Sequence, residues 1–128
     1  MRLLLDTCTF LWVVSGDAAL SERARRLVTD RAHECFLSSV SAWEIAVKHA
    51  IGRLPLPVAA DRFVPAERER HGIAGLPLDE LSTLQLPRLP LLHRDPFDRM
   101  LVCQALAGGL TILTPDEGIR RYPVLSDW

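Results

Sequence analysis

Lysine is nearly absent from this chain: Lys48 stands alone against fourteen arginines. Arginine suits bidentate contact with phosphate, and the same bias arises from a GC-rich genome. Charge of one sign is also lacking. The formal net charge is −1, so bulk composition gives no argument for nucleic-acid binding. Cysteine is sparse. Cys8, Cys35 and Cys103 form no Cys-x-x-Cys pair, and they read as buried thiols in a reducing compartment. No run approaches the roughly 20 apolar residues that a membrane span needs. Asp6 interrupts Leu3-Leu4-Leu5, and no clean small-residue cleavage site follows, which argues against a secretion signal. The expectation is a soluble cytoplasmic protein with no membrane contact. Internal repeats and low-complexity tracts are missing as well.

What is present is a chain of 128 residues that is 48% apolar, enough for one domain over 1–128 with its own core. Short apolar runs at Leu3–Leu5, Cys35–Ser38, Ile73–Leu76 and Leu110–Leu113 read as strands, with Val124-Leu125 as an edge strand. Helices are expected at Thr9–Val14, Ser21–Val28, Ser41–Ile51, 58–71 with a kink or break at Pro65, Leu78–Leu84, Pro96–Ala107 and Pro115–Arg121. Pro87, Pro90 and Pro96 make the segment before the sixth helix irregular. Strands alternating with helices predict an α/β fold with helices on both faces of a parallel sheet.

Four acids occupy equivalent points in that pattern. Asp6 ends the first strand, Glu44 opens the third helix, Asp98 opens the sixth, and Asp116 follows the strand at Leu110–Leu113. In an open parallel sheet, sites form beyond the carboxyl ends of the strands. Converging carboxylates repel one another and require a cation, and an all-oxygen site suits Mg²⁺ or Mn²⁺. Each acid also has a purely structural explanation. Asp6 can cap a helix. Ser41-x-x-Glu44 and Thr114-Pro115-Asp116-Glu117 fit capping boxes, and Glu44 pairs with Lys48 at i, i+4. Asp95 can cap a helix with Pro96 first and Asp98 third, although Asp98 shares a face with Leu101, Val102 and Ala105. The argument for a site is therefore conjunctive.

The motifs Leu-Leu-Leu-Asp-Thr, Ser-Ala-Trp-Glu-Ile, His93-Arg94-Asp95-Pro96-Phe97-Asp98-Arg99 and Thr-Pro-Asp, taken in register, resemble a PIN domain, and more narrowly the VapC-type toxins of bacterial toxin–antitoxin pairs. The likeness runs from Arg2 to about Leu125. It implies a three-layer α/β/α fold around a parallel sheet of four to five strands. It also implies a metal-dependent endoribonuclease whose catalytic and metal-binding residues are Asp6, Glu44, Asp98 and Asp116. Carboxylates holding one or two Mg²⁺ or Mn²⁺ ions acidify an attacking water and steady the departing oxygen. Thr7 and Thr114 match supporting hydroxyl positions, and Asp95 matches an extra acid beside the metal or a helix cap. Glu117 adjoins Asp116, which leaves open which of the two faces the site. His93, Arg94 and Arg99 are candidates for binding RNA phosphate.

The resemblance further implies an antitoxin partner, an RNA substrate and a homodimer. Phe10, Leu11, Trp12, Trp43 and Val47 are candidates for the antitoxin groove. Phe63, Val64, Leu78, Leu81 and Leu84 are candidates for an exposed dimer face. The alternative is a non-catalytic PIN-fold module that binds RNA or protein, which the intact acid set disfavours. A haloacid-dehalogenase-type phosphatase requires an aspartate where Cys8 stands, and a receiver module requires a suitably placed lysine, whereas Lys48 lies in a helix.

Overall fold

The computed structural model describes all of residues 1–128. Five parallel strands form one sheet in the order β3-β2-β1-β4-β5: β1 (Arg2–Leu5), β2 (Glu34–Ser38), β3 (Ala74–Leu76), β4 (Thr111–Leu113) and β5 (Ser126–Asp127). Seven helices connect them: α1 (Thr7–Ser15), α2 (Glu22–Thr29), α3 (Ser39–Ala50), α4 (Ala60–Arg70), α5 (Glu80–Thr83), α6 (Pro96–Gly108) and α7 (Glu117–Arg120). A 3₁₀ turn spans Leu86–Arg88. This is the expected α/β/α architecture.

β1 explains the layering. Successive strand side chains point to opposite faces. Leu3 and Leu5 enter a core with Phe10, Leu27, Ile45 and Phe63, under α1, α2, α3 and α4. Leu4 enters the other core with Leu101, Val102, Ile112, Ile119 and Tyr122, under α6 and α7. The chain builds outward from β1 through β2 to β3, then returns to place β4 on the other side of β1. That reversal opens a crevice at the carboxyl ends of β1 and β4.

Several local expectations require correction. α3 begins at Ser39, because Ser38 ends β2 and its Oγ accepts from the Val40 N–H at 2.9 Å. Glu44 is therefore the sixth helical residue, and the capping box with Ser41 does not form. α7 is capped by Asp116 rather than Thr114, whose hydroxyl is engaged elsewhere, and starts only at Glu117. The last strand lies at Ser126–Asp127, beyond Val124-Leu125. The Val124 N–H turns back to the Tyr122 carbonyl at 2.8 Å, which keeps Val124 in a turn, while the Leu125 carbonyl already accepts from the Ile112 N–H of β4 at 2.9 Å. Pro65 lies inside α4 without breaking it. Phe63 and Val64 are buried on the inward side of that helix and are no dimer surface, whereas Leu81 and Leu84 are exposed and Leu78 is half-buried. Phe10 is wholly buried core, so it lines no groove, and Leu11 and Trp12 pack against the same core. Cys8 is exposed, unlike Cys35 and Cys103, because the first turn of α1 leaves it on the solvent side.

Candidate active site

Asp6 stands where β1 becomes α1 and caps that helix. Its Oδ1 accepts from the Thr9 N–H at 2.8 Å, and its Oδ2 accepts from the Thr114 hydroxyl at 2.5 Å. The residue is only 4% exposed. Burial raises its pKa above the ordinary carboxylate value, and the nearby Asp116 charge adds to this against the hydrogen bonds from Thr114 and Thr9.

Thr114 connects this acid to the next. Its hydroxyl oxygen also accepts from the Asp116 N–H at 3.0 Å. Asp116 turns Oδ1 toward the start of α7, accepting from Gly118 N–H at 2.7 Å and Ile119 N–H at 3.2 Å. Its Oδ2 has no hydrogen-bond partner in the protein. Glu117 is exposed on the solvent side, so Asp116 is the member of the pair that faces the cluster.

Glu44 is 5% exposed on the inner side of α3. Oε1 accepts from the Thr7 hydroxyl at 2.6 Å, which also lies 3.0 Å from Ser41 Oγ. Oε2 accepts from Lys48, one turn along the helix. This i, i+4 pair is the one expected from the sequence, and a buried carboxylate needs such partners.

Asp95 caps α6, accepting from Phe97 N–H at 2.8 Å and Asp98 N–H at 3.1 Å. Asp98 then projects from the first turn, and His93 Nε2 meets its Oδ2 at 2.9 Å. The Asp98 pKa is pushed up to about 6. Burial is the main cause, His93 opposes it, and the charges of Asp95, Asp116 and Glu44 add to it. Asp98 thus feels Asp116 and Glu44, and Asp6 feels Asp116. One donor atom each from His93, Asp98 and Asp116 lies within 4.8 Å of the others.

Sequence reasoning missed several participants. Tyr122 fixes His93, accepting from its backbone N–H at 3.1 Å. Gly118 gives the cluster room. A Cβ there would stand 2.9 Å from both Asp116 Oδ1 and His93 Nδ1, closer than side-chain carbons tolerate. Cys8, exposed at the edge of the same acids, loses part of its water to the surrounding chain. That partial desolvation, then the charges of Asp6, Glu44 and Asp98, raise its pKa to about 11, so it remains a thiol at neutral pH. The available signal for Cys8 and Gly118 was their spacing, two residues after Asp6 and Asp116 respectively. Arg94 is exposed, and Arg99 is half-buried with its Nε unpaired.

The donor chemistry fits a hard divalent cation. Asp98 Oδ1 and Asp116 Oδ2 are free of protein partners beside two buried carboxylates, and oxygen-rich sets of this kind suit Mg²⁺ or Mn²⁺. The His93 nitrogen beside Asp98 is the usual second partner that orients a ligating carboxylate.

The family profile of the PIN domain matches residues 3–125. The chain belongs to the PIN-domain family. Ribonuclease VapC16 of Mycobacterium tuberculosis (strain ATCC 25618 / H37Rv) is 32% identical to this PIN domain over 115 residues, which is 87% of this chain and 73% of that protein. The relatedness is of the VapC type. Two solved structures share the fold at lower identity. VapBC2 from Rickettsia felis bound to a DNA fragment from its promoter aligns with a TM-score of 0.74 at 13% identity, covering 99% of this chain and 98% of that one. DNA-bound VapBC from Salmonella typhimurium aligns with a TM-score of 0.68 at 19% identity, covering 99% and 97%.

Proposed function

We propose that this PIN domain, a single domain over residues 1–128, is a Mg²⁺- or Mn²⁺-dependent endoribonuclease and the cytoplasmic toxin of a toxin–antitoxin pair. The observation that supports the reading is the cluster of His93, Asp98 and Asp116, whose donor atoms lie within 4.8 Å of one another, with Asp6 and Glu44 buried nearby on α1's cap and α3. The ribonuclease name of the 32%-identical relative supports the reaction class. The VapBC character of the structural neighbours supports a protein antitoxin as partner.

In this reading Asp98 and Asp116 hold the cation through their free oxygens. Asp6 and Glu44, fixed by Thr114, Thr9, Thr7 and Lys48, present buried negative charge behind them. The cation supplies Lewis-acid stabilisation of the phosphoryl oxygens and a more acidic attacking water. His93 holds the Asp98 carboxylate in one orientation. Arg94 and Arg99 neutralise the phosphates of the entering strand. The antitoxin places an apolar segment in the groove between α3 and α4 beside edge strand β3. That groove encloses about 430 Å³, with Ala42, Ala46, Val64, Pro65 and Leu76 in its walls. The exposed Leu81 and Leu84 contribute to a homodimer face.

Cleavage of an unstructured RNA should require Mg²⁺ or Mn²⁺ and cease in excess EDTA, while Asp6→Asn should fail to cleave with its helix content intact. Cation at one hundred times its dissociation constant should stabilise the wild type by about 2.7 kcal/mol in thermal melts. Undiminished cleavage in EDTA would sink the reading. Light scattering reads the dimer: a mass of one chain at micromolar concentration, with cleavage intact, removes it from the function.

A further inference from the structure

One aromatic pair lies at the rim of the acid cluster and has no role in either core sufficient to explain it. Trp43 on α3 directly precedes Glu44, and Phe97 on α6 directly precedes Asp98. Their ring centroids are 4.8 Å apart at an interplanar angle of 70°. Phe97 is half-buried against the core under α6, whereas Trp43 is 60% exposed. Edge-on packing is a preferred aromatic geometry, so Phe97 fixes the indole without covering it. An exposed tryptophan usually reduces its contact with water, and here the neighbouring acids offer it no apolar cover. α3 and α6 pack together at this pair, and each helix carries a candidate site acid at the next position, Glu44 and Asp98.

We infer that Trp43, braced by Phe97, is a stacking platform for an unpaired nucleobase next to the scissile phosphate. The inference rests on the nuclease reading above and adds to it the element that holds the substrate. Two features of the site call for such an element. Its centre is anionic, so it repels the RNA backbone until a cation is present. Its hydrogen-bonding groups are largely engaged with one another, which leaves few for reading base edges. Stacking on an aromatic face needs neither charge nor free donors, and every base offers a π-face. The cationic groups nearby, Lys48 on α3 and Arg94 and Arg99 around α6, suit the phosphates on either side of that base. The platform thus takes one base that is unstacked at the cleavage position.

The experiment uses a ten-nucleotide unstructured RNA and two readouts. In steady-state cleavage with Mn²⁺, Trp43→Ala should raise KM roughly tenfold or more, and Trp43→Tyr should restore most of the loss. An abasic nucleotide moved along the RNA should mimic Trp43→Ala at one position only. The second readout is tryptophan emission, in an Asp98→Asn background that prevents cleavage. RNA should quench it, and the quenching should vanish in Trp43→Phe, because Trp12 and Trp128 pack on each other with centroids 5.8 Å apart. Wild-type-like KM in Trp43→Ala overturns the platform and leaves the nuclease standing. Failure of the wild type to cleave any RNA sinks the nuclease reading, and the quenching arm still decides the platform. A drop from two chains to one in Trp43→Ala, with quenching retained in Trp43→Phe, assigns the indole to a second copy and overturns the proposal.

Discussion

The two ends of the sheet obey one electrostatic rule and arrive at opposite results. At the carboxyl end, α1, α6 and α7 begin with Asp6, Asp95 and Asp116 as caps. At the amino end, α2 and α4 finish with Arg26, Arg68 and Arg70 in their last turns. Both placements complement helix dipoles. The amino end spreads its charge around an open cleft of about 650 Å³ lined by Arg25, Arg31, His33, Arg70 and His71. Its contacts are loose, with His33–Asp30 at 3.6 Å and Arg70–Glu67 at 3.7 Å. The carboxyl end carries Asp6, Glu44, Asp98 and Asp116 with few cations among them, and it buries the first two. Among basic side chains, only Lys48 and His93 bond to any of those four. Dipole complementation accounts for acids at helix starts. It does not account for the burial, reinforced by neighbouring carboxylates, that lifts the Asp6 and Asp98 pKa values.

The sharpest way to break the comparison is to remove one crowded charge. Asp98→Asn should lower cation-dependent cleavage by roughly 10³-fold or more, since cation stabilisation of the transition state is worth several kcal/mol. Single-turnover kinetics measures this, and a loss under tenfold would mean the acids act as ordinary caps. Gly118→Ala tests the packing of the same cluster. The new methyl group should displace His93 or Asp116 and cost roughly 10- to 100-fold in cleavage. Stability in urea should fall by no more than about 1 kcal/mol, because alanine's helix preference offsets part of the cap lost when Asp116 shifts. A larger fall in stability alongside the loss of activity would instead indicate general misfolding.

Proton uptake gives a smaller effect with a definite sign. Asp98 ionises near 3.8 when unfolded and near 6 when folded, so between those values the folded state binds more protons. Its contribution is complete below about pH 4 and lost as pH rises through 6. In EDTA, stability should fall by about 1–2 kcal/mol from pH 4 to pH 7 on this account, less than the full shift because the group is partly solvated. Asp98→Asn should flatten that part of the profile. An unchanged slope would show that burial beside the other acids does not govern this carboxyl. The smallest effects belong to the other end. Arg25→Ala and Arg31→Ala should each change stability by less than about 0.5 kcal/mol and cleavage by less than about twofold. A large loss from either would give the amino-end cleft an unsuspected role.

The same contrast explains how much of the molecule was legible in its sequence. Strand–helix alternation, the strand before Asp6 and the Asp95-Pro96 start of α6 are local signals, and the parallel sheet followed from them. Glu44 was harder, because Ser38, Ser39 and Ser41 can each cap a helix. The choice depends on where β2 ends, which is set by its pairing with β1. Thr114 looked like a cap until its hydroxyl met an aspartate 108 residues away. Tyr122 was illegible for the same reason, since its role comes from a bond to a distant segment. Cys8 and Gly118 offered only their spacing after Asp6 and Asp116, too weak a signal without the contacts between segments.

The bond between Asp6 and Thr114 also has a consequence in time. β1 is made well before its sheet partner β4, and Thr114 and Asp116 follow β4. Until those segments leave the ribosome, β1 has an open edge and Asp6 lacks its hydroxyl partner. The candidate site therefore stays incomplete until β4 has docked.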